Sequence, residues 1–297
     1  MKTGHAVFGA FALAGLVSIG CTTTAHATSS SMRSQTAPEA QQPAADQVTV
    51  PLTDPSKPAA IHVSLVHGSI TVRGTNRRDV LVTAHPDVDR PSRSFDPDAT
   101  GLRRLPQSAG YRVTEENNRV NVSADGPNRA IRFEIEAPRR ANLVLKTVNG
   151  GDILVENVDG DLDVHNTNGG ITLNSVAGSV SALTTNGNVR ATLTQVAAQK
   201  DMAFASLNGN VDVTLPPSTK ANLRLRSDHG DVYTDFDVQL QPQPQPAPTV
   251  QENTRGDGRY RINRTRSVVG TINGGGPEFE LRTFNSNVYV RKGTDHR

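Results

Sequence analysis

VNGGDILVENVDGDLDVHNTNGGITLNSVAGSVSALTTNGNVRATLTQV, residues 148–196, is a series of short alternating apolar runs parted by small turns that end in glycine. Gly150, Gly160, Gly169, Gly178 and Gly187 follow at intervals of 10, 9, 9 and 9 residues, but the turns alternate in kind. Asn149-Gly150, Asn168-Gly169 and Asn186-Gly187 form one series; Val158-Asp-Gly160 and Val176-Ala-Gly178 form the other. The repeat is therefore the pair, about 18 residues long. The Asn series runs on to Asn208-Gly209, 22 residues after Asn186, and more loosely to Asp228-His229-Gly230.

Successive residues of a strand face opposite ways, which sorts the repeat into two inward columns. After the Asn turns the inward pairs are Ile153/Val155, Ile171/Leu173, Val189/Ala191, Val211/Val213 and Val232/Thr234. After the Val turns they are Leu162/Val164, Val180/Ala182, Met202/Phe204 and Leu223/Leu225. Asp, Glu, Asn, Arg and Thr fill the outward positions. Turn chemistry that recurs at every second turn fits a parallel β-helix of 18–22 residues per coil, in which equivalent corners lie above one another. The competing fold is an antiparallel sandwich or meander, since Asn-Gly is also a hairpin signal. In the coil, Gly or Asn is expected to supply left-handed corners, and stacked Asn side chains to bond along the axis as a ladder.

The pattern extends on both sides. Residues 61–72 resemble one coil, continued by Val80–Ala84; strands resume at Tyr111, Arg119 and Ile131. Residues 86–110 read as a looped excursion, as does about 239–258, where QLQPQPQPAP removes amide donors that a sheet needs. Tyr260-Arg-Ile and Phe279–Val290 return to pattern, with Val288-Tyr-Val290 expected at the open terminal coil. One domain, about 49–292, is expected, with a tail at 293–297.

Met1–Gly20 carries one Lys, no acid and an apolar stretch ending at Cys21, the one cysteine of the chain. This reads as an export signal too short to span a membrane. Leu16-Val-Ser-Ile-Gly20-Cys21 resembles a bacterial lipobox, with Ser18 where Leu is commonest; that resemblance implies acylation of Cys21 and, with Thr22 next, the outer membrane of a Gram-negative cell. Ala25-His26-Ala27 offers a second cleavage site, leaving a soluble secreted or periplasmic chain. Residues 21–48, polar and rich in Ala and Pro, suit a flexible tether. A single cysteine leaves no disulfide framework. The chain has 31 Lys and Arg against 29 Asp and Glu, and losing Lys2 with the signal leaves 30 against 29; nothing in that balance calls for nucleic acid.

FEIEAPRRANLVLKTVNGGDILVENVDGDLDV (residues 133–164), TNGNV, Val211-Asp-Val-Thr-Leu-Pro-Pro217 and DHGDVY together resemble the bacterial β-strand-repeat domains of unknown function named as candidate adhesins. The resemblance implies an envelope-associated β-helix and supplies no catalytic residues.

Chemistry is sparse. His26, His62, His67, His85, His165, His229 and His296 show no metal-binding spacing; His165 and His229 sit beside corners as surface residues. Asp152, Asp159, Asp161 and Asp163 invite calcium, but the GGxGxD repeat of calcium β-rolls is missing. There is no GxSxG. A polysaccharide lyase or hydrolase would use outward acids such as Glu156, Asp161 and Asp163 with aromatic platforms, yet the chain has no Trp and four Tyr. Arg259, Arg261, Arg264 and Arg266 form a basic cluster suited to solvent or anionic lipid. The expectation is a non-enzymatic envelope protein without cofactor or metal, held to the membrane by lipid and binding an envelope protein, glycan or surface along its outward face. The alternative is an architectural periplasmic protein that pairs through its sheet edge.

Overall fold

A computed structural model describes residues 45–86, 110–126, 130–241 and 267–294. They form 20 strands and no helix, all in the second of two compact units, residues 42–297. The expected signal, the lipobox with Cys21, most of both excursions, Tyr260-Arg-Ile and the 259–266 basic cluster lie outside the described residues.

Parallel pairing between successive coils decides the fold. β9 (Ile153–Glu156) pairs in parallel with the first half of β11 (Ile171–Asn186), which pairs with β12 (Val189–Val196), and that with β14 (Val211–Leu215). On the facing side β8 (Ala141–Asn149), β10 (Asp159–Asn168), the second half of β11 and β13 (Met202–Ser206) do the same. In-register shifts of 18 residues, such as Ile153 on Ile171 and Leu162 on Val180, put like on like. The chain is a parallel β-helix, and the antiparallel alternative does not describe its repeat.

Both inward columns are buried as parity requires, at 0–4% exposure from Ile153 through Val213 and from Leu162 through Leu225. At roughly 25 cal/mol per Å² of apolar surface removed from water, this double column holds the rod together without disulfides. One pair departs from the expectation. On β16 (Val232–Thr234) Val232 is half-buried and Thr234 is exposed, because this strand closes the stack and has a neighbour, β20 (Val288–Lys292), on one side alone among the described strands.

The order of coils in space is not their order in sequence. β19 (Glu278–Thr283) lies between β13 and β15 (Ala221–Ser227), and β20 lies between β14 and β16. Val288-Tyr-Val290 is therefore interior, with Val288 and Val290 fully buried, which corrects its expected place at an open end. The first coil is inserted in the same way. β2 (Ala59–His67) sits between β8 and β6 (Arg119–Ala124), and β3 (Ile70–Thr75) sits between β9 and β7 (Ile131–Pro138).

Antiparallel strands finish both sheets at one end and the β15 sheet at the other. β4 (Asp79–Pro86) runs against β7 and carries β1 (Asp46–Pro51) on its outer edge, so Val80–Ala84 is a cap and not the continuation of a coil. β1 begins at Asp46, inside the stretch read as tether. β5 (Tyr111–Glu116) folds back on β6 through Asn117 and Asn118, both at positive φ (53° and 64°), the hairpin chemistry that Asn favours. At the other end β18 (Ser267–Ile272) runs against β15 and holds the two-residue β17 (Gln239–Leu240). Such caps keep an edge from recruiting a further strand.

Candidate functional site

The corners are where the coils approach most closely, and glycine is there for room. A Cβ on Gly169 would stand 2.2 Å from the carbonyl oxygen of Gly151, on Gly187 2.2 Å from that of Gly169, and on Gly209 2.0 Å from that of Gly187. Gly160 and Gly230 are confined likewise, by the carbonyl oxygens of Ala141 and Ser286. Of the corner glycines singled out in the sequence, Gly150 (φ 82°) and Gly178 (φ 114°) take positive φ. The expected left-handed corner thus gives way to close stacking at the others. In the second corner series left-handed φ also falls on Asn157 (58°) and Ser175 (54°), just before the buried Val158 and Val176.

Three polar columns run along the first corner. Asn168 donates Nδ2 to Asn149 Oδ1 at 2.8 Å, Asn186 to Asn168 at 2.7 Å, Asn208 to Asn186 at 2.7 Å and Asn285 to Asn208 at 2.6 Å. His229 continues the line beyond Asn285, its ring edge-on to Phe284 at 4.6 Å. A second column caps backbone N–H groups: Asp152 accepts from Gly170, Asn188 from Asn210, Asn210 from Asn287 and Asn287 from Asp231. The third is buried. Thr147, Asn166, Thr184, Ser206 and Thr283 donate to the carbonyls of Gly68, Gly151, Gly169, Gly187 and Gly209 in the neighbouring coil. Its signal stands in the sequence as a polar residue two places before the corner Asn or His, from Thr147-Val-Asn149 to Ser227-Asp-His229.

A groove of about 620 Å³ crosses the outer face of the β8–β10–β11–β13–β19 sheet. It exists because Ser181 and Ala203, small and outward, lie in register between Asp163 and Glu280. Lys200 Nζ is 2.7 Å from both carboxylate oxygens of Asp161, and the Ser179 hydroxyl donates to Asp161 at 3.0 Å. These contacts, Lys200 first, hold the Asp161 carboxyl below its usual range against the opposing effect of burial. Burial, then Arg119 and Lys146, pushes the His62 imidazole down. Asp163 bonds His165 Nε2 at 2.8 Å.

A glycoside-cleaving pair needs one carboxyl kept protonated as an acid, whereas Asp161 is shifted the opposite way and clamped. Glu156 lies on the other sheet, paired with Arg73 at 3.0 Å, and does not join Asp161 and Asp163. Among the described residues no Phe, Tyr or Trp side chain lines the groove. Of the four acids considered for calcium, Asp152 is occupied at the corner, and Asp161 and Asp163, which share the groove, have the partners named above. Among the described residues no group of three or more His, Cys, Asp or Glu side chains is placed to hold a metal ion.

The sequence does not announce an aromatic pair that forms on the opposite sheet. Tyr289 and Tyr233 stack with ring centroids 5.2 Å apart and planes 12° from parallel. Arg291 sits 5.1 Å from the Tyr289 centroid and 2.8 Å from Asp212, which holds its guanidinium still more firmly charged. Each Tyr is four residues past its corner, His229 or Asn285. The signal was there, but it becomes a pair only because β20 is inserted beside β16.

Stacked parallel coils, glycine corners and an Asn ladder define a repeat protein of the β-solenoid class. The Toastrack DUF4097 family profile matches residues 117–267, just over half of the 297-residue chain. The chain belongs to the Toastrack DUF4097 family. No curated protein matches it. Among solved structures it is similar to a candidate cell adhesion protein from Clostridium sporogenes ATCC 15579, at 9% identity over 84% of this chain and 100% of that one, with a TM-score of 0.41. A candidate adhesin from Bacteroides fragilis NCTC 9343 shows 12% identity over 84% and 97%, TM-score 0.39. Another, from Parabacteroides merdae ATCC 43184, shows 10% over 84% and 96%, TM-score 0.27.

Proposed function

We propose that this chain is a non-enzymatic, adhesin-like binding rod of the bacterial cell envelope, exported by its N-terminal signal and held by lipid on Cys21. The observation that carries the reading is the register of the outward residues. His62, Val144, Asp163, Ser181, Ala203, Glu280 and Arg224 follow one another across seven coils, each opposite the last. Strand spacing fixes them about 4.8 Å apart, so the rod offers a rigid ruler of side chains to a surface. Many weak contacts held in such order add without a fresh ordering cost for each one. The clamped Asp161, and a groove with no Phe, Tyr or Trp among its described residues, support binding over catalysis. Lipidation rests on Leu16–Cys21, and residues 21–45 would tether the rod through β1.

The test is an intact mass of the protein from the native membrane fraction beside Cys21→Ala, with binding to whole cells and isolated envelopes measured for both. An acylated chain starting at Cys21, lost from membranes in the variant, is expected. A soluble chain starting at Thr28 would refute the anchor, and binding unchanged by substitutions along the outward rows would refute the rod as the binding element.

A further inference from the structure

The outward row that contains the tyrosine pair runs Thr71, Leu154, Thr172, Arg190, Asp212, Tyr289, Tyr233. Aromatic rings occur at its last two positions alone. Tyr233 is 50% exposed although it is large and apolar over most of its surface. A stack of parallel rings made for stability would continue along the coils as the Asn ladder does; this one begins two coils from the end and stops at the last strand. Among the described residues no further ring lies beyond Tyr233.

The groups around the rings are polar, and the guanidinium among them already has its counter-charge. Arg291 is paired with Asp212 at 2.8 Å. Asn287 Nδ2 donates to the Tyr289 hydroxyl at 3.0 Å, and the Tyr233 hydroxyl points to Asp231 Oδ2 at 3.5 Å. A phosphate-bearing ligand would need an uncompensated cation here, and a quaternary ammonium needs several rings around it. A flat aromatic face edged by Asp, Asn and Tyr oxygen and nitrogen atoms suits a molecule with an apolar C–H face and a rim of hydroxyls.

Position adds a second argument. β1, where the described chain begins, and β16 lie at opposite ends of the same run of strands: β1, β4, β7, β3, β9, β11, β12, β14, β20, β16. Nine spacings of about 4.8 Å put Tyr233 roughly 43 Å from the strand at which a tether would enter.

From the exposed stack, its polar rim without a free guanidinium and its place at the far end, we propose that Tyr233 and Tyr289, with Asp231 and Asn287, form a binding site for an uncharged glycan, a sugar ring stacking on Tyr233 and its hydroxyls bonding Asp231 and Asn287. The proposal deepens the envelope-binding reading and rests on it for its setting.

The mature chain is applied to an immobilised panel of neutral oligosaccharides of glucose, galactose, mannose and N-acetylglucosamine, with phosphocholine and single-stranded DNA beside them. Retention on at least one sugar is expected. Tyr233→Ala should weaken it about tenfold, the scale of one lost stacking contact with its buried area, while Tyr233→Phe stays within about threefold. Lys57→Ala, in the loop between β1 and β2 and outside the strand rows, should leave it unchanged. A thermal melt confirms that each variant is folded. No sugar retained, equal retention by Tyr233→Ala, or retention on phosphocholine or DNA alone overturns the site. Cell binding that survives in Tyr233→Ala sinks the site and leaves the rod standing; sugar retention by a chain that binds no cell or envelope does the reverse.

Discussion

Replacing Gly187 with Ala tests the claim that these corners are glycine for lack of space. The added Cβ would lie 2.2 Å from the Gly169 oxygen, 2.4 Å from its carbonyl carbon and 2.7 Å from the Gly170 nitrogen, all backbone. A carbon rests against a carbonyl oxygen at about 3.3 Å or more, so the two coils must part by roughly 1 Å at this corner. The Thr184 bond to the Gly169 carbonyl, 2.8 Å, and the Asn186 bond to Asn168, 2.7 Å, would then stretch past bonding distance. Two such bonds are worth about 1 kcal/mol each, and overpacking costs about 1–3 kcal/mol, so a loss of about 4 kcal/mol is expected. Equilibrium urea unfolding followed by far-ultraviolet circular dichroism measures it, and for a domain of this size the melting temperature should drop by about 8–16 °C. Gly110→Ala, whose Cβ would meet only Asp125 at 3.4–3.8 Å, is the matched control. If Gly187→Ala stays within about 1 kcal/mol of wild type, the close-stacking account of the corners is wrong.

Thr184→Val keeps shape but leaves the half-buried Gly169 carbonyl without its side-chain donor, and should cost about 1 kcal/mol in the same assay. Burial, helped by the charge of Asp46, raises the Tyr111 hydroxyl to about 12. Its neutral form is thus favoured on folding: that stability is complete below the ordinary value of about 10, is lost as pH rises through about 12, and should vanish from the alkaline limb of a stability profile in Tyr111→Phe. Lys200→Met should let Asp161 titrate higher, toward an ordinary carboxylate, in a carbon-13 NMR titration. Because its folded value is depressed, the stability from Asp161 is present above the unfolded-state pKa and fades as pH falls through the folded one, so the variant's acid limb should be flatter.

The repeat, the inward columns and the ladder were legible because each is written locally: a corner spacing, an alternation, an Asn at a fixed offset. The order of coils was not, because Ile61–Leu65, Phe279–Leu281 and Leu223–Leu225 carry the same alternation and would each fit any slot. The tyrosine pair was hidden for that reason, as was the interior place of Val288–Val290. The sequence reading of corner glycine as a φ requirement missed a constraint that belongs to two coils at once, since the atom excluding a Cβ at Gly187 is 18 residues away in the chain. Thr234 was misassigned because parity marks a side and says nothing of whether a neighbour covers it.

A solenoid whose coils follow chain order can be shortened from either end and still leave a complete, smaller stack. This one cannot. With β2–β3 and β19–β20 both tucked between coils that flank them in space but not in sequence, loss of Glu278–Lys292 would open a gap inside the sheet and part β15 and β16 from β13 and β14. Assembly that zips forward as the chain emerges has to halt at that vacant position until Glu278–Lys292 arrives. The stack is therefore complete only once Glu278–Lys292 is in place, so β15 and β16 cannot join the coils made before them until a stretch that follows them in the chain has been synthesised.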